Sequence, residues 1–477
     1  MPACDTLVRN VHILDGAGGA LHAADVAILG GRIQAIGELA DYSAEQTFDG
    51  QRNVLAPGFI DVHTHDDTAV IERPEMLPKL SQGVTTVIVG NCGISAAPAR
   101  LAGDLPDPMN LLGEANAFRY PTFAVYAEAV NAAKPAVNVA ALVGHTTLRN
   151  NHMDRLDRSA TAREMEAMKT QLREALDRGA LGLSTGLAYL SAYSASTEEV
   201  MALAELLLEA GGIYTSHLRS ETSAVIQAID EAFHIGRHAK VPVVISHLKC
   251  SGIDNWGRSR EVLQALESGS HQQATGFDCY PYAASSSTLD LRQVDERIRI
   301  TITWSKPHPE IGGHLLAEIA ERWSVPQLEA ARRLQPAGAI YHGMSEDDVR
   351  TIMRHPLCMI GSDGLPNDPL PHPRLWGTFP RVLGYYCREQ RLFTLSEAVR
   401  KMTSLPAKRF RLKNRGALRE GYFADLVLFN PDTVCDLATF ADPIRSAKGI
   451  EAVWVNGVLS YKDQASTGDR GGTFLSR

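Results

Sequence analysis

Two histidines, His63 and His65, stand one residue apart at the end of an apolar run in GFIDVHTHDD, residues 58–67. In a β-strand this spacing places both imidazoles on the same side, where two ligands of one metal ion have to lie. Other residues that could bind a metal, transfer a proton or bind an anion also follow apolar runs, namely Cys92, His145, His217, His247, Lys249, Tyr280 and Asp363. Their types indicate a metal-dependent catalytic site.

The candidate ligands are of the kind that zinc prefers. Imidazole and thiolate suit this ion, and a catalytic zinc site keeps about three protein ligands and one open position. Cys92, His217 and His247 form one such set. His63 and His65 could hold a second ion, with Cys92 bridging. A single histidine or buried cysteine is more often a packing residue, so the prediction depends on all five lying on one face.

Asp363, in IGSDGLP, could be a simple turn residue, because aspartate is common in turns. Its place after an apolar run, on the same face as the candidate ligands, favours a general base instead. Zinc lowers the pKa of water to about 7, and a nearby carboxylate can take the proton and pass it to a leaving amine. The sequence therefore predicts a hydrolase with Asp363 as catalytic base and acid.

Two residues with reactive side chains are predicted to be structural. Ser184 lies in GLSTG, which matches the GxSxG pattern of serine esterases, but no helical pattern begins until Ser196. That motif requires a helix directly after the turn, so Ser184 is predicted to pack in the core. His145 is predicted to bond to its neighbours at a strand end.

Composition indicates a protein that acts on small molecules. The chain has 477 residues, 21% charged residues and a net charge of −8, without the lysine or arginine runs expected for nucleic acid or membrane binding. The N-terminus lacks the pattern of a signal peptide, and no segment has the roughly 20 apolar residues of a membrane span. The seven cysteines form no CxxC pair. We expect a cytoplasmic location and leave the oligomeric state open.

Eight apolar, β-branched runs separated by mostly helical patterns predict the main domain. They lie at residues 58–65, 84–92, 137–145, 180–186, 212–218, 242–249, 275–282 and 358–364. One helix is predicted to stop at Gly179, and another to begin with a capping box of Ser196 and Glu199. Eight strand–helix units predict an α/β fold, a (β/α)8 TIM-like barrel over residues 58–414, whose catalytic residues lie at the C-terminal ends of the strands. Residues 283–357 are too many for a loop and predict an inserted subdomain.

The two ends of the chain have a different pattern. Both consist of short β-rich runs split by turn residues, and Asn456-Gly457 is a typical hairpin turn. Neither end carries enough apolar surface to fold alone. Residues 1–57 and 415–477 are therefore predicted to form one small β-sandwich domain beside the barrel.

Several of these motifs together resemble the N-acyl-D-amino-acid deacylases, or D-aminoacylases, of the amidohydrolase superfamily. The motifs are GFIDVHTHDD, GNCGIS, TSHLRSE, ISHLK, DCYPYAASSS, MIGSDGLP and HPRLWGTFPRVLG, and the likeness runs nearly end to end. The HxH motif marks only the superfamily. A cysteine after the second strand, where many relatives have a carboxylated lysine or an acidic ligand, is more specific to this branch.

The resemblance implies a role for each matching residue. It implies a tightly bound zinc ion on Cys92, His217 and His247, a weaker or empty second site at His63 and His65, and an acid/base role for Asp363. It also implies that Lys249, Tyr280 and Arg374 bind the substrate carboxylate, that Ser286 assists and that Met344 lines the side-chain pocket. An arginine and a lysine can orient such a substrate through charge-assisted hydrogen bonds.

The sequence departs from the family pattern where the substrate side chain is read. Members that prefer apolar D-amino acids carry apolar residues at the counterparts of Ala188 and Asp295, and members with acidic substrates place a cation near the latter. The segment STLDLRQVDERIRI offers several acids and arginines, and the sequence does not decide which of them point inward. An inward-facing Asp295 would favour a cationic or polar D-residue.

The sequence therefore predicts zinc-dependent hydrolysis of N-acyl-D-amino acids to a carboxylate and a free D-amino acid. Within the same hypothesis, selectivity for N-acyl-D-glutamate or N-acyl-D-aspartate is an alternative. Hydrolysis of cyclic amides, as by dihydroorotases and hydantoinases, is a second one, disfavoured by Cys92 as a ligand. A third is a catalytically silent barrel that binds a metal or a partner, disfavoured because Asp363 accompanies a full ligand set.

Overall fold

The computed structural model describes residues 2–101, 103, 105–271 and 273–477. Its strands are β1 Ala3–Ile13, β2 His22–Leu29, β3 Arg32–Gly37, β4 Ser43–Asp49, β5 Val54–Pro57, β6 Phe59–Asp61, β7 Val84–Val89, β8 Asn138–Ala141, β9 Val143–Gly144, β10 Gly182–Gly186, β11 Ile213–His217, β12 Val243–Ile245, β13 Thr275–Cys279, β14 Ser285–Thr288, β15 Ile300–Ser305, β16 Ala337–Tyr341, β17 Cys358–Ile360, β18 Leu426–Phe429, β19 Ile450–Val455, β20 Val458–Lys462 and β21 Ala465–Ser466.

The helices mostly lie between these strands. They are α1 Ala69–Glu72, α2 Leu77–Leu80, α3 Phe123–Ala133, α4 His145–His152, α5 Ala162–Asp177, α6 Leu190–Tyr193, α7 Thr197–Ala204, α8 Leu206–Ala210, α9 Val225–Ala239, α10 Ser259–Ser270, α11 Leu316–Trp323, α12 Gln327–Leu334, α13 Glu346–Arg354, α14 Arg374–Arg381, α15 Leu395–Met402 and α16 Ser404–Arg409. A π-helix at Val382–Glu389 continues α14, and five short 3-10 turns complete the set. Across the described ranges, no helix is both long enough and apolar enough to cross a membrane.

The central strands form two parallel sheets, which confirms the α/β fold. One has the order β6-β7-β8 and the other the order β17-β13-β12-β11-β10-β9. Each of the eight predicted runs contains a strand of these sheets, and β8 and β9 are one run interrupted at Leu142. A parallel bridge between Thr64 and Gly364 links the ends of β6 and β17. The carboxyl ends of all these strands therefore lie at one edge of the sheets.

Helix caps follow the predictions in part. Thr161 and Glu164 form a reciprocal capping box at the start of α5, which ends at Asp177 near the predicted stop. At the start of α7 the Ser196 hydroxyl accepts a hydrogen bond from the backbone N–H of Glu199. The carboxylate of Glu199 does not return this bond, because it accepts from His145 instead. The predicted second capping box is therefore only half formed.

Strands from both ends of the chain share one nine-stranded sheet. Its order is β21-β20-β19-β18-β5-β1-β2-β3, with β4 beside β1. The adjacency of β5 and β18 joins the two ends of the chain in antiparallel register. Val8, Leu55, Leu428 and Trp454 are buried in a common apolar cluster beside this sheet. Their burial explains why neither end needs a core of its own.

Within the predicted insertion, a three-stranded antiparallel sheet has the order β14-β16-β15. Ile302, Leu316, Ala330 and Ala339 belong to an apolar cluster that draws on this sheet and on α11 and α12. The first strand, β14, carries Ser286 and starts six residues after the end of β13, Cys279. The small sheet therefore stands next to the edge where the candidate catalytic residues gather.

Candidate active site

The structure gathers the predicted ligands at the carboxyl edge of the parallel sheets. His217 is the last residue of β11, whereas Cys92, His247 and Asp363 lie in the loops just after β7, β12 and β17. Strand β6 ends at Asp61, so the HxH motif also lies in a loop rather than in the strand itself. All five predicted ligands are buried, with at most 8% of the surface of any of them exposed.

Two of the predicted ligands and the predicted base adopt left-handed backbone conformations. The φ angles of Cys92, His247 and Asp363 are 53°, 34° and 49°. Such angles are uncommon for residues with a side chain, and they cluster at functional sites where the surrounding structure holds them. A Cβ atom on Gly186 would lie 2.1 Å from the carbonyl oxygen of Cys92. The loop that carries Cys92 can therefore approach β10 only because residue 186 is a glycine.

Cys92 lies between two histidines. Its Sγ is 3.1 Å from Nε2 of His63 and 3.3 Å from Nε2 of His247. Burial opposes ionisation of the thiol, but the charges of His63 and His247 outweigh it, and the pKa of Cys92 lies well below its ordinary value. The side chain is therefore poised as a thiolate, the form that binds metal.

Two groups of metal-binding atoms share His247. The first comprises His63, Cys92, His247 and Asp363, and the second His217, Glu221 and His247, with all ligand atoms in each group within 4.8 Å of one another. The sequence grouped Cys92 with His217 and His247 and paired His63 with His65. In the structure His63 joins Cys92 and His247 in the first group, His217 lies in the second, and His65 belongs to neither.

Asp363 is held as a carboxylate beside these groups. Its Oδ1 lies 3.2 Å from Nε2 of His65, and its Oδ2 lies 3.0 Å from Nη1 of Arg374. Burial disfavours the charge, but Arg374 together with His247, His65 and His63 more than compensates, and the pKa of Asp363 lies well below its ordinary value. Asp363 can therefore accept a proton, as a general base must.

Glu221 is a site residue that the sequence interpretation missed. Its Oε1 lies 2.6 Å from Nζ of Lys249 and 3.0 Å from Nδ1 of His247. Burial raises the pKa of Glu221. The positive charges of Lys249 and His217 act in the opposite direction, and the net effect is a pKa below the ordinary value. The sequence does contain a signal for this residue, because Glu221 ends the motif TSHLRSE four residues after the candidate ligand His217.

Asp278 is the second missed residue. It is buried within β13, its Oδ2 lies 3.4 Å from Nδ1 of His63, and its Oδ1 accepts a hydrogen bond from the backbone N–H of His247. Carboxylates that bind the far nitrogen of a metal-binding histidine fix the orientation of its ring. A carboxylate inside the apolar run of TGFDCYPY was the available signal, since buried acids are rare.

A cavity of about 420 Å³ opens next to the predicted base. Its lining includes Lys249, Tyr280, Ser286 and Asp363. The Ser286 hydroxyl has no hydrogen-bond partner among the described residues. These polar groups face the cavity beside the metal-binding centre, as a substrate site requires.

Two other predicted substrate residues lie behind that lining. Arg374 packs beneath the ring of Tyr280, with Cζ 4.6 Å from the ring centre, and donates a hydrogen bond to the carbonyl of Ser286. Nε of Arg374 has no hydrogen-bond partner within the described part of the chain. Met344 accepts a weak hydrogen bond from the Tyr280 hydroxyl at 3.8 Å. Both residues thus support Tyr280, and the described lining includes neither.

The residues that could read a substrate side chain are not those that the sequence suggested. Ala188 lines the cavity, but Asp295 lines only a neighbouring cavity of about 560 Å³, which shares Arg292 with the first, and forms an ion pair with Arg297. The hypothesis of an inward-facing Asp295 is therefore wrong. Arg292 lines the cavity instead, paired with Asp290 and donating a hydrogen bond to the carbonyl of Ala188. Only the path of the chain between β14 and β15 determines which side chain faces inward.

The two reactive residues predicted to be structural are tied to their neighbours. Ser184 is buried in β10, donates a hydrogen bond to the carbonyl of Gly90 and accepts one from the backbone N–H of Gly93. Tyr189 is followed by the four-residue helix α6, so no long helix follows the GxSxG motif directly. His145 Nε2 lies 3.0 Å from Glu199 Oε1. Ser184 therefore anchors the loop that carries Cys92, and His145 is held by its contact with Glu199.

The chemistry of the donor set fits zinc. A thiolate-forming cysteine, several imidazoles and a carboxylate at one centre are the ligand types that zinc selects. Nδ1 of His217 and Nδ1 of His65 are buried without a hydrogen-bond partner among the described residues. An unpaired buried nitrogen is costly, and coordination of a metal ion at such an atom would remove that cost.

Comparisons with known proteins agree with this geometry. The sequence matches the amidohydrolase family over residues 46–268 and 270–461. It is 48% identical to the D-aminoacylase of Alcaligenes xylosoxydans xylosoxydans, an alignment that covers 99% of this chain and 98% of that protein.

Two solved structures are similar over their full length. A crystal structure of D-aminoacylase superposes with a TM-score of 0.98 at 48% identity, over 99% of this chain and 100% of that one. N-acyl-D-glutamate deacylase from Bordetella bronchiseptica, complexed with zinc and a phosphonate that mimics the tetrahedral intermediate, superposes with a TM-score of 0.96 at 46% identity, over 100% of both chains.

Proposed function

This chain belongs to the amidohydrolase family, and we propose that it hydrolyses the amide bond of N-acyl-D-amino acids, with zinc as cofactor. The products are a carboxylate and a free D-amino acid. The observation that carries the proposal is the position of Asp363, an ionised carboxylate held by Arg374 next to a centre of cysteine and histidine ligands. A hydrolase of this type needs both parts in one cavity.

Zinc would be held by Cys92, His217 and His247, with His63 and His65 available for a second, weaker ion. When bound, zinc polarises a carbonyl oxygen and lowers the pKa of a water molecule toward about 7. Glu221 and Asp278 orient the histidine rings by accepting from their far nitrogens or neighbouring backbone.

Asp363 performs the proton transfers. It accepts a proton from the attacking water while the water oxygen bonds to the acyl carbon, and it delivers that proton to the amide nitrogen as the C–N bond breaks. His65 and Arg374 hold the carboxylate in place during both steps. The low pKa of Asp363 keeps it ready as a base at neutral pH.

The substrate carboxylate binds to the cationic side of the cavity. Lys249, Tyr280 and Ser286 line it there, and Arg374 adds the unpaired N–H of its Nε from below. Charge-assisted hydrogen bonds of this kind hold the scissile amide in one orientation. Met344 acts through its contact with Tyr280.

A preference for acidic D-amino acids is the second candidate, and Arg292 favours it. The guanidinium lines the cavity, and Asp290 binds its Nε and Nη2, whereas Nη1 donates no hydrogen bond to the described residues. A substrate side-chain carboxylate could accept from Nη1, but an apolar side chain could not use it.

The test is hydrolysis of N-acetyl-D-leucine, N-acetyl-D-glutamate, N-acetyl-D-aspartate and N-acetyl-D-arginine beside their L-enantiomers. We expect chelator-sensitive release of the D-amino acids and the highest kcat/KM for an acidic one. Turnover of L-substrates alone, or of dihydroorotate or hydantoins in preference, would contradict the proposal.

The domain organisation completes the proposal. The eight parallel strands close into a (β/α)8 barrel over residues 58–414, supported by the bridge between Thr64 and Gly364. Residues 1–57 and 415–477 form the small β-sandwich domain, and residues 283–357 the inserted subdomain, supported by the separate apolar clusters of both regions. A cytoplasmic location stays a prediction of the sequence.

A further inference from the structure

A second cavity lies at the opposite edge of the parallel sheets and has a basic lining. Its volume is about 440 Å³, and its lining includes Leu181, Arg411, Lys413, Arg415 and Arg477. Leu181 immediately precedes β10, and the other end of that strand, Gly186, pairs with His217 at the candidate active site. The length of a strand therefore separates this basic cavity from the catalytic residues.

Four cationic side chains and no acidic one belong to the described lining of the basic cavity. Arg415 is neutralised by an ion pair with Asp425. Arg411 and Arg477 donate hydrogen bonds to carbonyl oxygens, namely those of Gly211, Ala180 and Leu176. Neither arginine is paired with an acidic side chain of the described lining, in a protein whose net charge is −8.

The charges of Arg411 and Arg477 lie close enough to repel each other. Burial and the charge of Arg411 lower the pKa of Arg477, and the carboxylate of Asp177 offsets this only in part. An anion bound among these groups would relieve the repulsion.

The wall of the basic cavity is rigid on one side. Phe423 lies between two guanidinium groups, with Cζ of Arg32 and Cζ of Arg415 each 4.0 Å from its ring centre. Arg415 is itself buried. Phe474 provides a second aromatic surface in the lining. The cavity thus combines apolar walls with cations at Arg411 and Lys413, both of which are exposed.

We propose that the basic cavity binds a phosphate-bearing small molecule. Guanidinium groups match the geometry of phosphate oxygens, and a lysine adds a point charge to the same anion. The aromatic and aliphatic wall accommodates the organic part of a phosphate ester, and the volume is within the range of ligand sites.

The proposal can be tested with AMP, inorganic phosphate and, as the uncharged control, adenosine. The zinc-loaded full-length protein is titrated with each probe by calorimetry at constant ionic strength. We expect AMP and phosphate to bind and adenosine to bind at least tenfold more weakly than AMP. The double variant Arg411→Gln/Lys413→Gln should weaken AMP binding at least tenfold and leave hydrolysis unchanged.

A matched variant controls for the loss of two charges. Arg332→Gln/Lys462→Gln removes two exposed cations elsewhere and should bind AMP as the unmodified protein does. Equal AMP affinity in both double variants would assign the binding to another place, such as the metal centre, and overturn the proposal. Absence of AMP and phosphate binding up to about 10 mM would overturn it as well.

Discussion

Glu221 connects the substrate side of the cavity to its metal side, because one oxygen, Oε1, lies 2.6 Å from Nζ of Lys249 and 3.0 Å from Nδ1 of His247. The same carboxylate has its other oxygen 3.9 Å from Nε2 of His217. A single half-buried acid therefore contacts a substrate-binding cation and two metal-binding rings at once.

Glu221→Gln should weaken zinc binding and raise KM together. The amide keeps the size of the side chain but loses the charge that holds Lys249 and the His247 ring, and loss of such a partner costs about 10- to 100-fold in metal affinity. Zinc content after dialysis against graded chelator, with kcat and KM measured at saturating zinc, checks both effects. Glu231→Gln is the control. Glu231 lines the same cavity but pairs with Arg219, so this variant should keep its zinc.

Cys92→Ser should lose most bound zinc and at least about 100-fold of the activity. A serine hydroxyl is not ionised at neutral pH and replaces the thiolate that lies between His63 and His247. Metal analysis of the purified variant measures the loss. Cys435→Ser changes a free cysteine away from the centre and should retain the full metal content. A fully loaded Cys92→Ser protein would exclude the thiolate as a ligand.

Asp363→Ala should retain zinc but lose hydrolysis by about 100- to 10,000-fold, the usual contribution of a general base. The ligand set at Cys92 and the histidines stays in place, so metal content and activity separate in this variant. Asp368→Ala, five residues further along, is the matched control because that carboxylate binds the hydroxyl of Thr303 and not the centre. An active Asp363→Ala enzyme would refute the catalytic role.

Arg292→Leu should lower kcat/KM for N-acetyl-D-glutamate about 10- to 100-fold and leave N-acetyl-D-leucine unchanged or improved. Loss of one charge-assisted hydrogen bond to a buried carboxylate is worth about 1.5–3 kcal/mol, which corresponds to this factor. The ratio of the two kcat/KM values is the measurement. Arg297→Leu changes an arginine that lines only the neighbouring cavity and should leave the ratio as it is. An unchanged ratio in Arg292→Leu would remove that residue from substrate selection.

Glu199→Gln should reduce stability most at neutral pH. Burial opposes the charge of Glu199, but His145 and Arg149 stabilise it and lower its pKa to about 2. Because the folded-state pKa lies below the unfolded value of about 4.3, the contribution is present above that value and is lost as the pH falls toward 2. The Glu199 charge contributes about 3 kcal/mol to the free energy of unfolding at pH 7, which corresponds to roughly 3 °C in Tm for a chain of this size.

Tm measured by differential scanning fluorimetry at several pH values between 7 and 3 checks this dependence. The difference between Glu199→Gln and the unmodified protein should shrink as the pH falls below 4. Glu198→Gln changes the exposed neighbour and should show little difference at any pH. A Tm deficit of Glu199→Gln that grows on acidification would contradict the assigned sign.

The sequence alone determined the strands and the residues at their ends. Apolar, β-branched runs depend on local side-chain pattern, so each predicted run contains a parallel strand, and the carboxyl ends of parallel strands share one edge. Cys92, His217, His247 and Asp363 had to meet there once the strands were placed in order. The resemblance to N-acyl-D-amino-acid deacylases rests on the same strand-end motifs.

Only the tertiary structure decided which side chains face each other. Arg292 and Asp295 are three residues apart in one irregular segment, yet only Arg292 reaches the catalytic cavity, because contacts with Ala188 and Asp290 direct it there. The links from Glu221 and Asp278 to the histidine rings also cross between different strands and loops. Side-chain directions in loops depend on partners distant in sequence, and no local pattern records those partners.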